Sequence, residues 1–219
     1  MGENKVTLEV AGRPLLLTAV RAVAGSVRTV LVGPQATIIQ AMGPALEADP
    51  ALVQTQEDPP YGGPVAGIAA GLEELRDVKV PLVAVLACDI PGAPQAVEKI
   101  LSSSRLAELP QSLDFDGVCA LAKDGYPQWL LAFYRLDYLR RRVRVAGQHG
   151  GSVRRLLEGA RLAGVPMPEH YLQDVDSPGD LARYLKVSSQ EAGMVGTEKA
   201  DGPSPGRACT GLGPSVQDS

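Results

Sequence analysis

Apolar residues along the chain fall into two kinds of period, and the alternation between them predicts an α/β fold. Thr29-Val-Leu-Val32 is a β-branched run that ends at Gly33-Pro34, which reads as a strand followed by a turn. Leu82-Val-Ala-Val-Leu-Ala87 is an unbroken apolar hexamer between Pro81 and Asp89, the pattern of a strand buried on both faces. A third strand is expected over residues 52–56. Between these runs, Val65, Ile68, Leu72 and Leu75 recur at helical spacing, and Pro64 suits the first turn of that helix. Helical patterns also cover residues 15–24, 38–46, 96–101, 136–143 and 178–185. Later, Gly117-Val-Cys-Ala-Leu-Ala122 and Trp129-Leu-Leu-Ala-Phe-Tyr134 form a strand pair joined by the polar Lys123-Asp-Gly-Tyr-Pro127. A β/α first half and a mixed second half predict a three-layer α/β/α domain, its mixed sheet mostly parallel with an antiparallel edge.

The pattern stops near Val187. From Ser188 to Ser219 there are six glycines, three prolines, no aromatic residue and only Met194, Val195, Leu212 and Val216 as large aliphatics. Such a segment buries too little apolar surface to offset its ordering entropy. The expected organisation is one domain over residues 1–187 and a disordered tail over 188–219.

Composition narrows the function. The 219 residues carry a net charge of −4, and only 4% are aromatic. A mildly acidic surface with few stacking rings argues against a nucleic-acid partner. Three separated cysteines and two histidines exclude a disulfide framework, a zinc ribbon and a multi-histidine metal site. No apolar stretch approaches the ~20 residues of a membrane span, and the amino terminus has no signal-peptide core. A cytoplasmic protein without membrane contact is expected.

In open α/β sheets ligands gather beyond the carboxyl ends of the strands. Leu86-Ala-Cys-Asp-Ile-Pro91 delivers the Asp89 carboxylate at such an end. It can ligate Mg²⁺ that bridges phosphate oxygens, or cap the next helix. In Glu57-Asp-Pro-Pro-Tyr-Gly-Gly-Pro-Val-Ala-Gly67, two glycines lead into a helix. That entry exposes backbone N–H groups to an anion or a base edge, unless it is an ordinary β–α loop. In Asp174-Val-Asp-Ser-Pro-Gly-Asp-Leu181, alternation puts Asp174 and Asp176 on the same face of a strand. Asp176 then serves as a second metal ligand, or Asp176 or Ser177 caps the next helix. The arginines from Arg135 to Arg155 form either a solvated helix face or a wall for an anionic substrate. His149, among glycines, reads as a loop residue, and no nucleophile–base pair is visible.

These segments, in this order, resemble the nucleotidyltransferases of the nucleotide-diphospho-sugar transferase-like (glycosyltransferase-A-like) fold, and among them the molybdenum cofactor guanylyltransferases. The matching residues are Lys5, Gly12-Arg-Pro-Leu15, Asp58 with Gly63-Pro-Val-Ala-Gly-Ile68, Cys88-Asp-Ile-Pro91 and Asp174-Val-Asp-Ser-Pro-Gly-Asp-Leu181. Gln128-Trp129 stands where the family more usually has Val-Pro, and Asp174 and Asp176 where it has Asn. The resemblance implies Mg²⁺-dependent transfer of GMP from GTP to molybdopterin, with release of pyrophosphate. It implies that Lys5 and Asp89 are catalytic, and that Lys5, Asp58, Gly62, Gly63, Pro64, Gly67 and Asp89 hold the nucleotide. It also implies that Asp89 and Asp176 hold the metal, and that molybdenum cofactor synthesis proteins are partners. A relative that uses CTP or a sugar-phosphate acceptor is the alternative. The family pattern opens with a first strand and a Leu-Ala-Gly-Gly loop that would precede Met1. The expectation is therefore a start placed downstream of the true one; an inactive, truncated nucleotide-binding remnant is the other reading.

Overall fold

A computed structural model of the chain describes residues 7–111, 114–146 and 151–195. A short hairpin of β1 (Glu9–Val10) and β2 (Arg13–Pro14) leads into α1 (Leu15–Ala22). Then β3 (Thr29–Val32) is followed by α2 (Gln35–Met42) and α3 (Ala45–Ala48), and β4 (Leu52–Thr55) by α4 (Pro64–Glu74). β5 (Leu82–Leu86) precedes α5 (Ala93–Leu101) and α6 (Ser104–Glu108). β6 (Gly117–Leu121), β7 (Pro127–Arg135), α7 (Leu136–Ala146), α8 (Val153–Leu156), β8 (Leu162–Pro166) and α9 (Pro178–Val195) complete the order.

β5, β7, β6 and β8 form one mixed sheet in that order, and β3 pairs with β4 in parallel. β5, β6 and β8 run in one direction, and only β7 is reversed. The antiparallel strand expected at an edge is thus internal, with β5 on one side and β6 on the other. It can sit there because the tight 123–127 connection returns β7 directly along β6. Helices cover both faces, giving the expected three-layer α/β/α architecture. On one face, α5 packs Ala93, Ala96, Val97 and Ile100 into a cluster with Val118, Leu131 and Val165. On the other, Val65 and Leu72 of α4 share a cluster with Leu139, Val143 and Leu156 of α7 and α8.

Most strands and helices lie where the periodicity puts them. β8 had no expectation, although Ala163 and Val165 alternate inward with Leu162 and Gly164 half-buried. Two differences stand out. Each residue of β5 is only half-buried, against the expectation of burial on both faces. The cause is that β5 is an edge: no strand among the described residues pairs with its outer side. The other difference is at the carboxyl end, where α9 runs on to Val195, across the composition change at Val187. Residues 196–219 lie outside the described part.

Candidate active site

Two acidic segments meet at the carboxyl end of β5. The ladder closes where the Ala87 N–H donates to the Leu130 carbonyl at 2.8 Å, and the chain then leaves the sheet through Cys88 to the half-buried Asp89. Ile90, 7% exposed, anchors the turn into α5. The Val175 N–H donates to the Asp89 main-chain oxygen at 2.8 Å, and the Val175 side chain is fully buried against Leu15 and Tyr184. Residues 174–176 form no strand, against the alternation expected of them, because their main chain bonds to the turn after β5 and not to a strand. Asp174 and Asp176 are exposed on either side of that anchor. Their carboxylates are therefore held one residue from a main-chain bond to Asp89. Gly92 permits the approach of the second segment: a Cβ there would lie 2.5 Å from Tyr171 Cα and 2.8 Å from its carbonyl oxygen.

The cap of α9 is Ser177. Its hydroxyl accepts from the Asp180 N–H at 3.2 Å and donates to the Asp180 carboxylate at 2.7 Å. Of the two residues the sequence offered as cap, Ser177 supplies the side-chain bond. The Ser177 hydrogen bond also holds the Asp180 carboxyl below its ordinary range.

The second strand-end feature is the entry into α4. The Tyr61 N–H donates to the Glu57 carboxylate at 3.0 Å, which folds residues 57–61 into a turn. Gly63 then adopts φ +85°, a conformation that favours glycine, directly before Pro64 opens the helix. No side chain caps this helix start, so first-turn N–H groups remain directed out of it. A Cβ on Gly62 would stand 2.8 Å from that of Ala66. Gly67 lies inside α4, where its N–H donates to the Gly63 carbonyl. A Cβ at Gly67 would make ordinary contact with Val32 Cγ1 at 3.8 Å, so the packing of α4 on β3 does not require glycine there. Asp58 is exposed and lines a groove of about 770 Å³ between α4 and α7, with Thr55, Gln56, Arg140 and Arg144 also on its walls. Asp89 and Asp176 do not line that groove. Lys5 and His149 lie outside the described residues.

The arginine run divides: Arg135, Arg140 and Arg142 reach main-chain carbonyls, while Arg141, Arg144, Arg154 and Arg155 are exposed. Arg135 donates to the carbonyls of Phe115, at 3.0 Å, and Leu109. Arg140 reaches the Leu75 carbonyl at 2.8 Å, and Arg142 reaches those of Leu156 at 2.7 Å and Glu158 at 3.2 Å. Arg141 pairs with Asp137 one helical turn away. The guanidinium groups of Arg135, Arg140 and Arg142 brace α7 against its neighbours by satisfying main-chain carbonyls.

Two further side chains bear on the chemistry. Burial pushes the Cys119 thiol up to about 11, which keeps it protonated at neutral pH and unsuited to nucleophilic attack. Trp129, on β7 beside the carboxyl end of β5, has a buried indole Nε1 with no hydrogen-bond partner. The sequence shows this ring but not its unpaired donor.

Among the described residues no group of three or more His, Cys, Asp or Glu side chains is arranged to hold a metal. A pair of carboxylates at one strand end nonetheless suits Mg²⁺, which takes one or two protein carboxylates and completes its shell with water and substrate phosphates.

A sequence model of the MobA-like NTP transferase domain matches residues 1–166. No curated protein gives a significant match. Among solved structures, molybdopterin-guanine dinucleotide biosynthesis protein A from Archaeoglobus fulgidus aligns at 20% identity with a TM-score of 0.55, over 85% of this chain and 91% of that one. 2-C-methyl-D-erythritol 4-phosphate cytidylyltransferase from Thermus thermophilus aligns at 18% identity and a TM-score of 0.52, over 84% and 94%. Rv0371c from Mycobacterium tuberculosis in complex with manganese aligns at 20% identity and a TM-score of 0.52, over 84% and 93%. At these identities the three likenesses establish the fold.

Proposed function

This chain belongs to the MobA-like NTP transferase family, and we propose that it transfers GMP from GTP to the terminal phosphate of molybdopterin. An oxygen of that phosphate attacks the α-phosphorus of GTP, the bond to the β-phosphate breaks, and pyrophosphate departs. The attacking oxygen is already anionic, so no general base is required and positioning and charge neutralisation dominate. The observation that carries this reading is the Val175–Asp89 hydrogen bond. It ties two acidic segments together at the strand end where an α/β sheet collects its ligand.

Asp89 and Asp176 would hold Mg²⁺, whose contribution when bound is to neutralise charge on the α-phosphate and the departing pyrophosphate. Lys5 would hold the β- and γ-phosphates. Asp58 and the Gly62–Gly63–Pro64 entry to α4 would orient the nucleoside, with first-turn N–H groups facing the phosphates. The Gly67 amide is bonded to the Gly63 carbonyl, so Gly67 would contribute to the nucleotide site through the shape of the loop-to-helix entry and not through its own N–H. Trp129 Nε1 would donate to the acceptor. A buried N–H left unpaired costs about 1–3 kcal/mol, which a ligand oxygen would recover. The Archaeoglobus protein, named for molybdopterin-guanine dinucleotide biosynthesis, supports guanine and molybdopterin, and the Mycobacterium complex supports a divalent ion.

A thermal-shift panel of GTP, CTP, ATP and UTP, each with and without Mg²⁺, tests the donor. The expected result is a Mg²⁺-dependent stabilisation that is largest with GTP. A larger shift with CTP would move the donor to that nucleotide and overturn the guanylyl reading.

A further inference from the structure

We propose that the buried hydroxyl of Tyr134 is a positioning group for the candidate site, because it closes a bulge in β7 that fixes where β5 releases the chain toward Asp89. Cys119 of β6 pairs with Ala132, but the next residue, Ala120, pairs with Gln128. Three residues of β7, Trp129, Leu130 and Leu131, therefore stand opposite a single step of β6 and have no partner in it. Five residues of straight strand would span about 16 Å. The Tyr134 hydroxyl nevertheless donates to the Trp129 carbonyl, five residues back, at 2.8 Å. The bulge folds the strand back within reach of that ring, and the hydroxyl supplies a donor to a carbonyl taken out of the β6 ladder.

The bulge reaches Asp89 through β5. That strand follows the bulged residues where β6 does not: Leu86 pairs with Leu131, and the Ala87 N–H donates to the Leu130 carbonyl at 2.8 Å. This is the ladder bond nearest to Cys88 and Asp89. On the far side the Val175 N–H holds the Asp89 carbonyl, also at 2.8 Å. The main chain at Asp89 is thus fixed from two directions, and one of the two anchors is a residue of the bulge. Bulges beside functional sites commonly re-aim the groups next to them.

Tyr134 is built to hold this position. It is fully buried, in one cluster with Val65, Leu139 and Leu156. Burial raises its hydroxyl far above the ordinary 10, so it remains a donor at neutral pH. Tyr134→Phe would keep the ring in its cluster and remove only the donor. In the function proposed above Asp89 holds a divalent ion, and the role of Tyr134 rests on that reading. Removing a group that orients a metal ligand typically weakens metal affinity about 10–100-fold.

The test compares the full chain with Tyr134→Phe, Asp89→Asn and Tyr138→Phe, the last removing a tyrosine hydroxyl of α7 that makes no contact with the bulge. Residue-resolved hydrogen exchange should show a protected Ala87 amide in the parent chain and in Tyr138→Phe, and exchange about tenfold faster in Tyr134→Phe. The probe for the metal is Mn²⁺ alone, with the free ion followed by electron paramagnetic resonance. Its affinity should fall about tenfold or more in Tyr134→Phe, be lost in Asp89→Asn and be unchanged in Tyr138→Phe. The emission of Trp129, the only tryptophan in the chain, should shift in Tyr134→Phe alone among the tyrosine variants. An Ala87 amide that exchanges fast in the parent chain, or equally in Tyr134→Phe, would overturn the proposal. Mn²⁺ affinity lost in Asp89→Asn but unchanged in Tyr134→Phe would overturn the positioning role and leave the metal reading standing. Mn²⁺ binding retained in Asp89→Asn would remove the metal reading, and the role of Tyr134 with it.

Discussion

Asp116 shows how a single carboxylate is held at the start of two strands. It receives the Arg161 main-chain N–H at 3.0 Å and the guanidinium at 3.2 and 3.3 Å, fixing β6 against β8. Burial alone would raise its pKa, but the hydrogen bonds from Arg161 outweigh that effect and hold the carboxyl below its ordinary 3.8. A depressed carboxylate contributes stability above its unfolded pKa, and that contribution is lost as pH falls through the folded value. Asp116→Asn should therefore destabilise the fold by about 1 kcal/mol at pH 7, given that Arg161 is largely exposed. The deficit should shrink below pH 3.8. Urea unfolding of both proteins at pH 7 and pH 3 checks this, and a constant deficit would contradict it. The strand end at Asp89 was legible because a carboxylate close after an apolar run marks one. Asp58 follows the polar Gln54-Thr-Gln-Glu57 and was singled out by the resemblance alone. The arginines were not legible in this way. Their charge is visible in the sequence, but the carbonyls of Leu75, Leu109 and Leu156 that they bind come from distant segments.

At the level of elements, the site depends on the 169–176 segment lying flat against the turn after β5. Gly92 sets that distance. In Gly92→Ala the new methyl would meet Tyr171 backbone at 2.5–2.9 Å, and backbone cannot swing aside as a flexible side chain can. We expect a loss of about 1–3 kcal/mol in stability. Displacement of Val175 should also weaken the Mg²⁺ dependence of nucleotide binding. Urea unfolding and a Mg²⁺ titration at fixed GTP measure the two effects, and unchanged values in both would contradict this account of the segment. Strands Thr29–Val32 and Leu82–Leu86 and helix Pro64–Glu74 were legible because period and bounding residues agree. β8 was harder to see, since Leu-Ala-Gly-Val-Pro contains a glycine and ends in proline. Its status as a strand comes from parallel pairing with β6, a contact between segments more than forty residues apart. The internal position of β7 likewise follows from pairing on both sides, which no local pattern encodes.

For the whole molecule, the periodicity predicted the layers but not the separation of the β3–β4 pair from the four-stranded sheet. Among the described residues no strand pairs with the outer side of β5, which accounts for a fully apolar strand being only half-buried. The family match and the fold make the chain a nucleotidyltransferase, and the two acidic segments at the end of β5 are where its chemistry is proposed to occur. The most direct measurement of that claim is pyrophosphate release from GTP in the presence of molybdopterin and Mg²⁺, comparing the parent chain with Asp89→Asn. The account predicts release by the parent and a loss of at least about 100-fold in the variant, with the folded content unchanged by circular dichroism. Equal release by the two proteins would contradict it.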